Sequence, residues 1–166
     1  MKKLLLLRHA KSSWNNPNLA NFERPLNNRG KQNAATMGKC LRKEKLVPDL
    51  IITSAAKRAN KTANLVAKKC GYDKKIHVLE SSYGGNLENY SIAIHDIGDK
   101  HKTVLLVGHN PTIEEVVERI IGESKVISTC TLAHIDLSID SWKEFNYDVK
   151  SKLIDLISVR ELNESR

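Results

Sequence analysis

Three segments place anion-binding or nucleophilic side chains directly after apolar runs. LLLLRHA delivers Arg8 and His9, IITSAAKRANKTA delivers Arg58, and LLVGHNP delivers His109. Short aliphatic runs bounded by polar residues read as strands buried on both faces, as in a parallel sheet. Parallel strands end at one shared edge, and open α/β sheets bind ligands there. The four side chains can therefore converge. Two arginines and two histidines around one point suit a phosphoryl group. The guanidinium fork matches phosphate oxygens in pairs, and an imidazole can attack phosphorus or donate to developing charge. The helix expected after IITS adds backbone N–H groups around Ala55 and Ala56, and a helix start favours anions. Each feature alone is ordinary, since His109 could be a loop residue satisfied by backbone and Arg58 a surface helix charge. The same context occurring three times sets them apart.

RHAKSSWNNP, FERPLNNRG, SAAKRANKTA and VGHNP, in that order, resemble the histidine phosphatase superfamily with its phosphoglycerate-mutase-like fold. More narrowly they resemble the small SixA-type phosphohistidine phosphatases. The resemblance runs from residue 3 to about residue 113 and continues weakly through STCTLAHIDLSIDSWKEF. It implies that His9 is the nucleophile and becomes a phosphohistidine. Arg8, Arg58 and His109 would hold the phosphoryl oxygens, water would release phosphate, and neither metal nor other cofactor is needed. Asn15 would be a phosphate contact, its other reading being a turn residue before Pro17. Arg24 would face the substrate from a loop folding over the pocket, its other reading being a surface salt bridge. Lys11 stands where many mutase-like members carry Glu, which makes the rim more basic. Trp14 can wall the pocket or simply anchor its loop.

Ester-cleaving members of the superfamily usually supply a carboxylic acid to the leaving oxygen. Glu80 in VLESSYGG is the candidate proton donor here, its other reading being an exposed loop carboxylate. An alkoxide leaves poorly without a proton, whereas a protonated phosphohistidine ring leaves readily. The resemblance therefore implies a phosphatase acting on phosphohistidine in a protein partner. A small phosphomonoester is the alternative substrate, and a non-catalytic phosphoanion-binding module the alternative outside enzymes. A binding module would need only the arginines, so the presence of His9 and His109 weighs against it. The long insertions that enclose sugar phosphates in larger members are missing, which weighs against a mutase.

The elements that must position these residues alternate in type. Strands are expected at residues 3–8, at DLIITS, IHVLE and KTVLLVG, and in the tail at CTLAHIDLSI, WKEFNYDV and KLIDLISV, the last two as a hairpin. Helices are expected from 28 to 45 with Asn27 as N-cap, over AAKRANKTANLVAKKC with Gly71 ending it, over LENYSIAIHDIG, and over HNPTIEEVVERIIG with Asn110 as cap and Pro111 in its first position. SYGG reads as a loop. The pattern predicts one α/β domain over residues 1–166, a three-layer sandwich with a largely parallel central sheet and antiparallel C-terminal strands.

The 166 residues carry a net charge of +8, with 40% apolar and 5% aromatic residues. The basic excess suggests anionic partners, but most lysines are scattered along helices, and Lys39, Arg42, Lys43 and Lys45 read as solvent-facing. No aromatic residues interleave with the basic ones as a single-strand nucleic-acid platform requires, so no nucleic acid is expected. MKKLLLLRHA has too short an apolar run for a signal or a membrane span. The three cysteines include no C-x-x-C pair, and a cytoplasmic monomer is expected. His77, His95, His101 and His134 lack metal-site spacing, and His134 reads as buried and neutral.

Overall fold

Leu4, Leu5, Leu6 and Leu7 are all fully buried. They form the middle of strand β1 (Lys2–Arg8), whose alternate side chains enter two separate cores. β1 lies between β4 (Thr103–Gly108), to which it is parallel, and β5 (Thr131–Leu137), to which it is antiparallel. The computed structural model describes residues 1–80 and 85–164. Its six-stranded sheet has the order β3-β2-β4-β1-β5-β6. β2 (Leu50–Ser54) is parallel to both β3 (Ile76–Leu79) and β4, and β6 (Ser151–Ser158) is antiparallel to β5.

Helices cover both faces. Leu5 and Leu7 pack with Ala34, Met37 and Leu41 of α1 (Asn28–Lys43) and with Ala63 and Val66 of α2 (Lys57–Cys70). Leu4 and Leu6 pack with Tyr90 and Ile94 of α3 (Leu87–His95) and with Ile113, Val116 and Val117 of α4 (Thr112–Ile121). This is the expected three-layer α/β sandwich. Helical spacing of the apolar residues puts each helix's buried stripe on the sheet. The Asn27 side chain caps α1 by accepting from Gly30 N–H, and Gly71 ends α2 at φ 87°, where glycine carries no side-chain penalty.

Several boundaries differ from the sequence reading. WKEFNYDV is not a strand, and KLIDLISV does not pair with it. Trp142–Glu144 is a single 3-10 turn closed by a capping box between Ser141 and Glu144. Trp142 and Phe145 are spaced three apart, the period of that turn, and both are buried. KLIDLISV forms β6 and pairs with β5 instead, and a short helix α5 (Val159–Glu164) follows it. Asn110 does not cap α4. The N-cap position is Pro111, one residue before the helix, and the Asn110 side chain donates to the Ile127 carbonyl at 2.8 Å. α1 stops at Lys43, two residues short of Lys45, which has a left-handed φ of 57°. The loop expected at SYGG falls mostly outside the described residues. Cys40, Cys70 and Cys130 are buried free thiols, and His134 is buried.

α1 begins against the segment that follows β1. Asn27 N–H donates to the Lys11 carbonyl at 3.0 Å, and a Cβ added at Gly30 would overlap that same oxygen. Backbone meets backbone there, so neither side yields cheaply. Gly30→Ala is therefore expected to lower stability by about 1–3 kcal/mol through overpacking, although alanine is the better helix former by roughly 1 kcal/mol. Urea unfolding of the two proteins checks this, and an unchanged or raised midpoint contradicts the close approach.

Candidate active site

The parallel strands end in step. Arg8 lies opposite Gly108, Thr53 opposite Val107, and Ser54 opposite Leu79. The residues that follow, His9, Ala55, His109 and Glu80, therefore leave the sheet along one edge. Three of the four expected residues come straight from these strand ends or the loops after them, and Arg58 comes from the first turn of α2. All four line one pocket of about 320 Å³, together with Lys11, Ser12, Trp14, Asn21, Arg24, Asn110 and Thr129.

His9 is 7% exposed. Its Nδ1 lies 2.7 Å from the Ala10 carbonyl oxygen. A carbonyl only accepts, so Nδ1 carries the proton and, in the neutral ring, Nε2 carries the lone pair. Burial pushes the His9 pKa down to about 4; the Ala10 carbonyl opposes the shift, while Arg58, Arg8 and Arg24 add to it. His9 is thus a neutral imidazole at pH 7 with the lone pair on Nε2. The contact to Nε2 is a long one, from Arg58 Nε–H at 3.4 Å. Ala10 is held from its other side, because its N–H donates to Thr62 Oγ1 at 3.0 Å and Thr62 Oγ1 donates to the Arg58 carbonyl at 2.7 Å.

His109 faces His9 with ring centroids 5.1 Å apart. Its Nε2 lies 2.7 Å from Ser54 Oγ. Burial lowers its pKa to about 3, with His9, Arg58 and Arg8 acting in the same direction. Arg8 donates from Nη1 to the Ile127 carbonyl at 3.1 Å, while its buried Nε has no hydrogen-bond partner among the described residues. A buried donor of that kind is costly unless something accepts from it, and a phosphoryl oxygen in the pocket would. Arg58 reaches across to the Asn21 carbonyl at 2.7 Å.

The 12–26 segment folds over the pocket, as the resemblance implies. Ser12 and Leu26 form an antiparallel bridge. Arg24 is buried, donating to Asn21 Oδ1 at 2.9 Å and to Ser12 Oγ at 2.6 Å, and its guanidinium lies 3.4 Å from the Trp14 ring centroid. Arg24 is no surface salt bridge, and Trp14 walls the pocket while remaining 74% exposed. Asn15 is exposed and outside the lining residues, with its N–H on Ser13 Oγ. Glu80 is exposed at the end of β3 and is also outside them. The Ala56 N–H donates to Ser54 Oγ at 3.3 Å.

Ser54 and Thr62 carry weak signals in the sequence. Ser54 is the last residue of the apolar run IITS, and Thr62 lies one helical turn after Arg58. Cys130 carries none. Its N–H lies 3.0 Å from the Arg8 carbonyl and 3.1 Å from the His9 carbonyl, at a left-handed φ of 53°. Among the described residues, no group of three or more His, Cys, Asp or Glu side chains is placed to hold a metal ion, and no helix is long and apolar enough to cross a membrane.

The sequence profile of the histidine phosphatase superfamily (branch 1) matches residues 4–84. An uncharacterized chloroplastic protein of Arabidopsis thaliana is 31% identical over 152 residues, covering 86% of this chain and 70% of that protein. The chain belongs to the histidine phosphatase superfamily. Phosphoglycerate mutase 1 of Saccharomyces cerevisiae is 41% identical over 71 residues, but the match spans only 29% of the mutase. Among solved structures, one described as the phosphohistidine phosphatase SixA of Agrobacterium tumefaciens superposes with a TM-score of 0.80 at 29% identity, over 95% of this chain and 97% of that one. A protein histidine phosphatase SixA complexed with tungstate shares the fold at a TM-score of 0.83 and 18% identity, over 96% of this chain and 99% of that one.

The two pocket histidines, the most strongly depressed, set a pH dependence. Both titrate near 6.5 when unfolded, but near 4 and 3 when folded. As pH falls, the unfolded chain binds protons first, so the native state loses stability. The stability in question is complete above about pH 6.5 and is lost as pH falls through about 4 and then 3. Urea midpoints measured from pH 7 to pH 4 should decline, and less steeply in His9→Ala. A flat profile would contradict neutral burial of the pair.

Proposed function

We propose that this member of the superfamily is a phosphatase that transfers a phosphoryl group to His9 and releases it to water, with phosphohistidine in a protein as its substrate. The observation that carries the reading is a neutral, tautomer-fixed His9 in a pocket with Arg8, Arg24, Arg58 and Lys11 but no Asp or Glu among its described lining residues.

In the first step the Nε2 lone pair of His9 forms a bond to phosphorus. The bond from phosphorus to the substrate's imidazole nitrogen breaks, and its electron pair stays with that nitrogen. The leaving ring departs neutral because its other nitrogen already carries a proton, so no protein acid is required. Arg8, Arg58 and His109 hold the phosphoryl oxygens, with Arg24 at the mouth. A bound phosphoryl dianion raises the pKa of His109 through its opposite charge, which lets His109 take up a proton and donate to an oxygen. In the second step a water oxygen bonds to phosphorus, the phosphorus–Nε2 bond breaks with its pair returning to His9, and the water proton leaves on phosphate. Support for the oxyanion site comes from the likeness to the SixA structure complexed with tungstate, a tetrahedral oxyanion.

A second reading, a small-molecule phosphomonoesterase with Glu80 as proton donor, draws on one observation. β3 runs parallel to β2 with Leu79 opposite Ser54, so Glu80 leaves the sheet at the same edge as the pocket, one strand further out. Asn15 would serve either substrate only as a contact from the loop rim.

The two readings separate on kcat/KM for a histidine-phosphorylated protein and for p-nitrophenyl phosphate. Without an acid, the ester is expected to lag by a factor on the order of 10²–10⁴, and Glu80→Gln should change neither rate by more than about twofold. Comparable turnover of the ester, lost in Glu80→Gln, would establish the second reading. Ser54→Ala tests the support of His109. It should lower kcat by about tenfold, short of the roughly 10²–10³ lost with a direct oxyanion donor, and leave KM nearly unchanged. A rise in KM alone would place His109 in ground-state binding.

A further inference from the structure

Beside the phosphoryl pocket lies a second cleft of about 360 Å³ lined by Lys11, Arg29 and Arg160 with Ser128, Thr129 and Ser158. Lys11 and Thr129 line both depressions, so the two share that rim. Three remote parts of the chain meet here. Arg29 stands in the first turn of α1, which Asn27 and Gly30 dock against the Lys11 backbone. Ser128 and Thr129 are brought in by the left-handed turn at Cys130, whose N–H is anchored on the Arg8 and His9 carbonyls. Arg160 is the second residue of α5, just beyond β6. The fold thus ties the cleft's walls to the backbone of the candidate nucleophile.

The described lining of the cleft is basic, and Glu161 stands outside it in an adjoining depression that Ser128, Ser158 and Arg160 also line. No Asp or Glu is among its described lining residues, and neither Lys11 nor Arg29 makes an ion pair with a described residue. The phosphoryl group's own charge is met next door by Arg8, Arg24 and Arg58. The cations of the cleft are exposed, long-armed and interleaved with hydroxyl donors. Such a surface suits carboxylates carried on a polypeptide that covers it and excludes water from the pairs.

We propose that this cleft is a docking subsite for Asp and Glu side chains flanking the phosphorylated residue of a protein substrate, an inference that rests on the phosphohistidine-protein reading above. Phosphorylated residues set among acidic neighbours would be chosen over the same residue in a neutral setting. Because the pairs lie at a solvent-facing rim, the preference should fade as salt shortens the reach of the charges.

Direct binding tests this without relying on turnover. Two fluorescent peptides carry a non-hydrolysable phosphonate analogue of phosphohistidine, one flanked by Asp and Glu, the other by Asn and Gln. Wild-type protein should bind the acidic peptide about tenfold more tightly, as two modest rim ion pairs would give. In the Arg29→Ala/Arg160→Ala double variant, checked for native near-ultraviolet circular dichroism, the preference should drop below about twofold while the neutral peptide's Kd stays put. No preference in the wild type, or a preference that survives the double variant, overturns the proposal. So does a double variant that keeps the peptide preference but loses affinity for fructose 1,6-bisphosphate, which would assign the cleft to a second phosphate. A wild type that discriminates between the peptides yet hydrolyses no phosphohistidine upholds the cleft and removes the enzymatic reading instead.

Discussion

The hydrogen bond from His9 Nδ1 to the Ala10 carbonyl decides which nitrogen of the ring can attack. At 2.7 Å inside a buried site it is short and shielded from water, and its direction is fixed because a carbonyl has no proton to give. Everything around it serves to hold that carbonyl still. Thr62 clamps the Ala10 N–H, Cys130 clamps the His9 carbonyl, and the fully buried leucines of β1 hold the strand that leads to both. A side chain set at the end of a central strand, as His9 is, inherits the rigidity of the sheet, which a loop residue would not.

The second constraint is electrostatic. Burial holds the buried His9 and half-buried His109 rings neutral; Arg8 and Arg58 push both the same way, and Arg24 adds to the effect on His9. Neutrality keeps His9 nucleophilic at pH 7 and leaves the arginines as the site's fixed positive charge. In the proposed mechanism an arriving phosphoryl group supplies the missing anion, accepts from the Arg8 Nε that has no partner among the described residues, and makes a proton on His109 favourable. Binding and activation of the site are, in that mechanism, one electrostatic event. The same positive character continues past Lys11 into the neighbouring cleft, where the charge is no longer spent on phosphate.

Much of this was legible in the residues. The aliphatic runs ending in Arg-His, Thr-Ser and Gly-His marked parallel strands and their shared edge, and helical spacing marked the buried faces of α1, α2 and α4. The tail was harder to read. WKEFNYDV has strand-forming residues, but Trp142 and Phe145 follow a three-residue period that a capping box closes into a 3-10 turn. Asn110 resembles a helix cap by type and position, yet its amide is drawn to Ile127, seventeen residues later and beyond the reach of local pattern. Ser54, Thr62 and Cys130 act through hydrogen bonds between distant segments, which composition and spacing do not encode. Arg24 was placed near the pocket by resemblance, while its burial against Trp14 and Ser12 became visible only in three dimensions.

The central claim is that phosphate passes through His9. The most direct measurement is to mix the protein with excess phosphoramidate, quench into alkali on the millisecond scale, and map the phosphoryl group by mass spectrometry. The account predicts a phosphoryl group on His9, stable in alkali and lost in acid, and absent from His9→Ala. Phosphate release at an undiminished rate in His9→Ala, or a phosphoryl group trapped on any other residue, would contradict it.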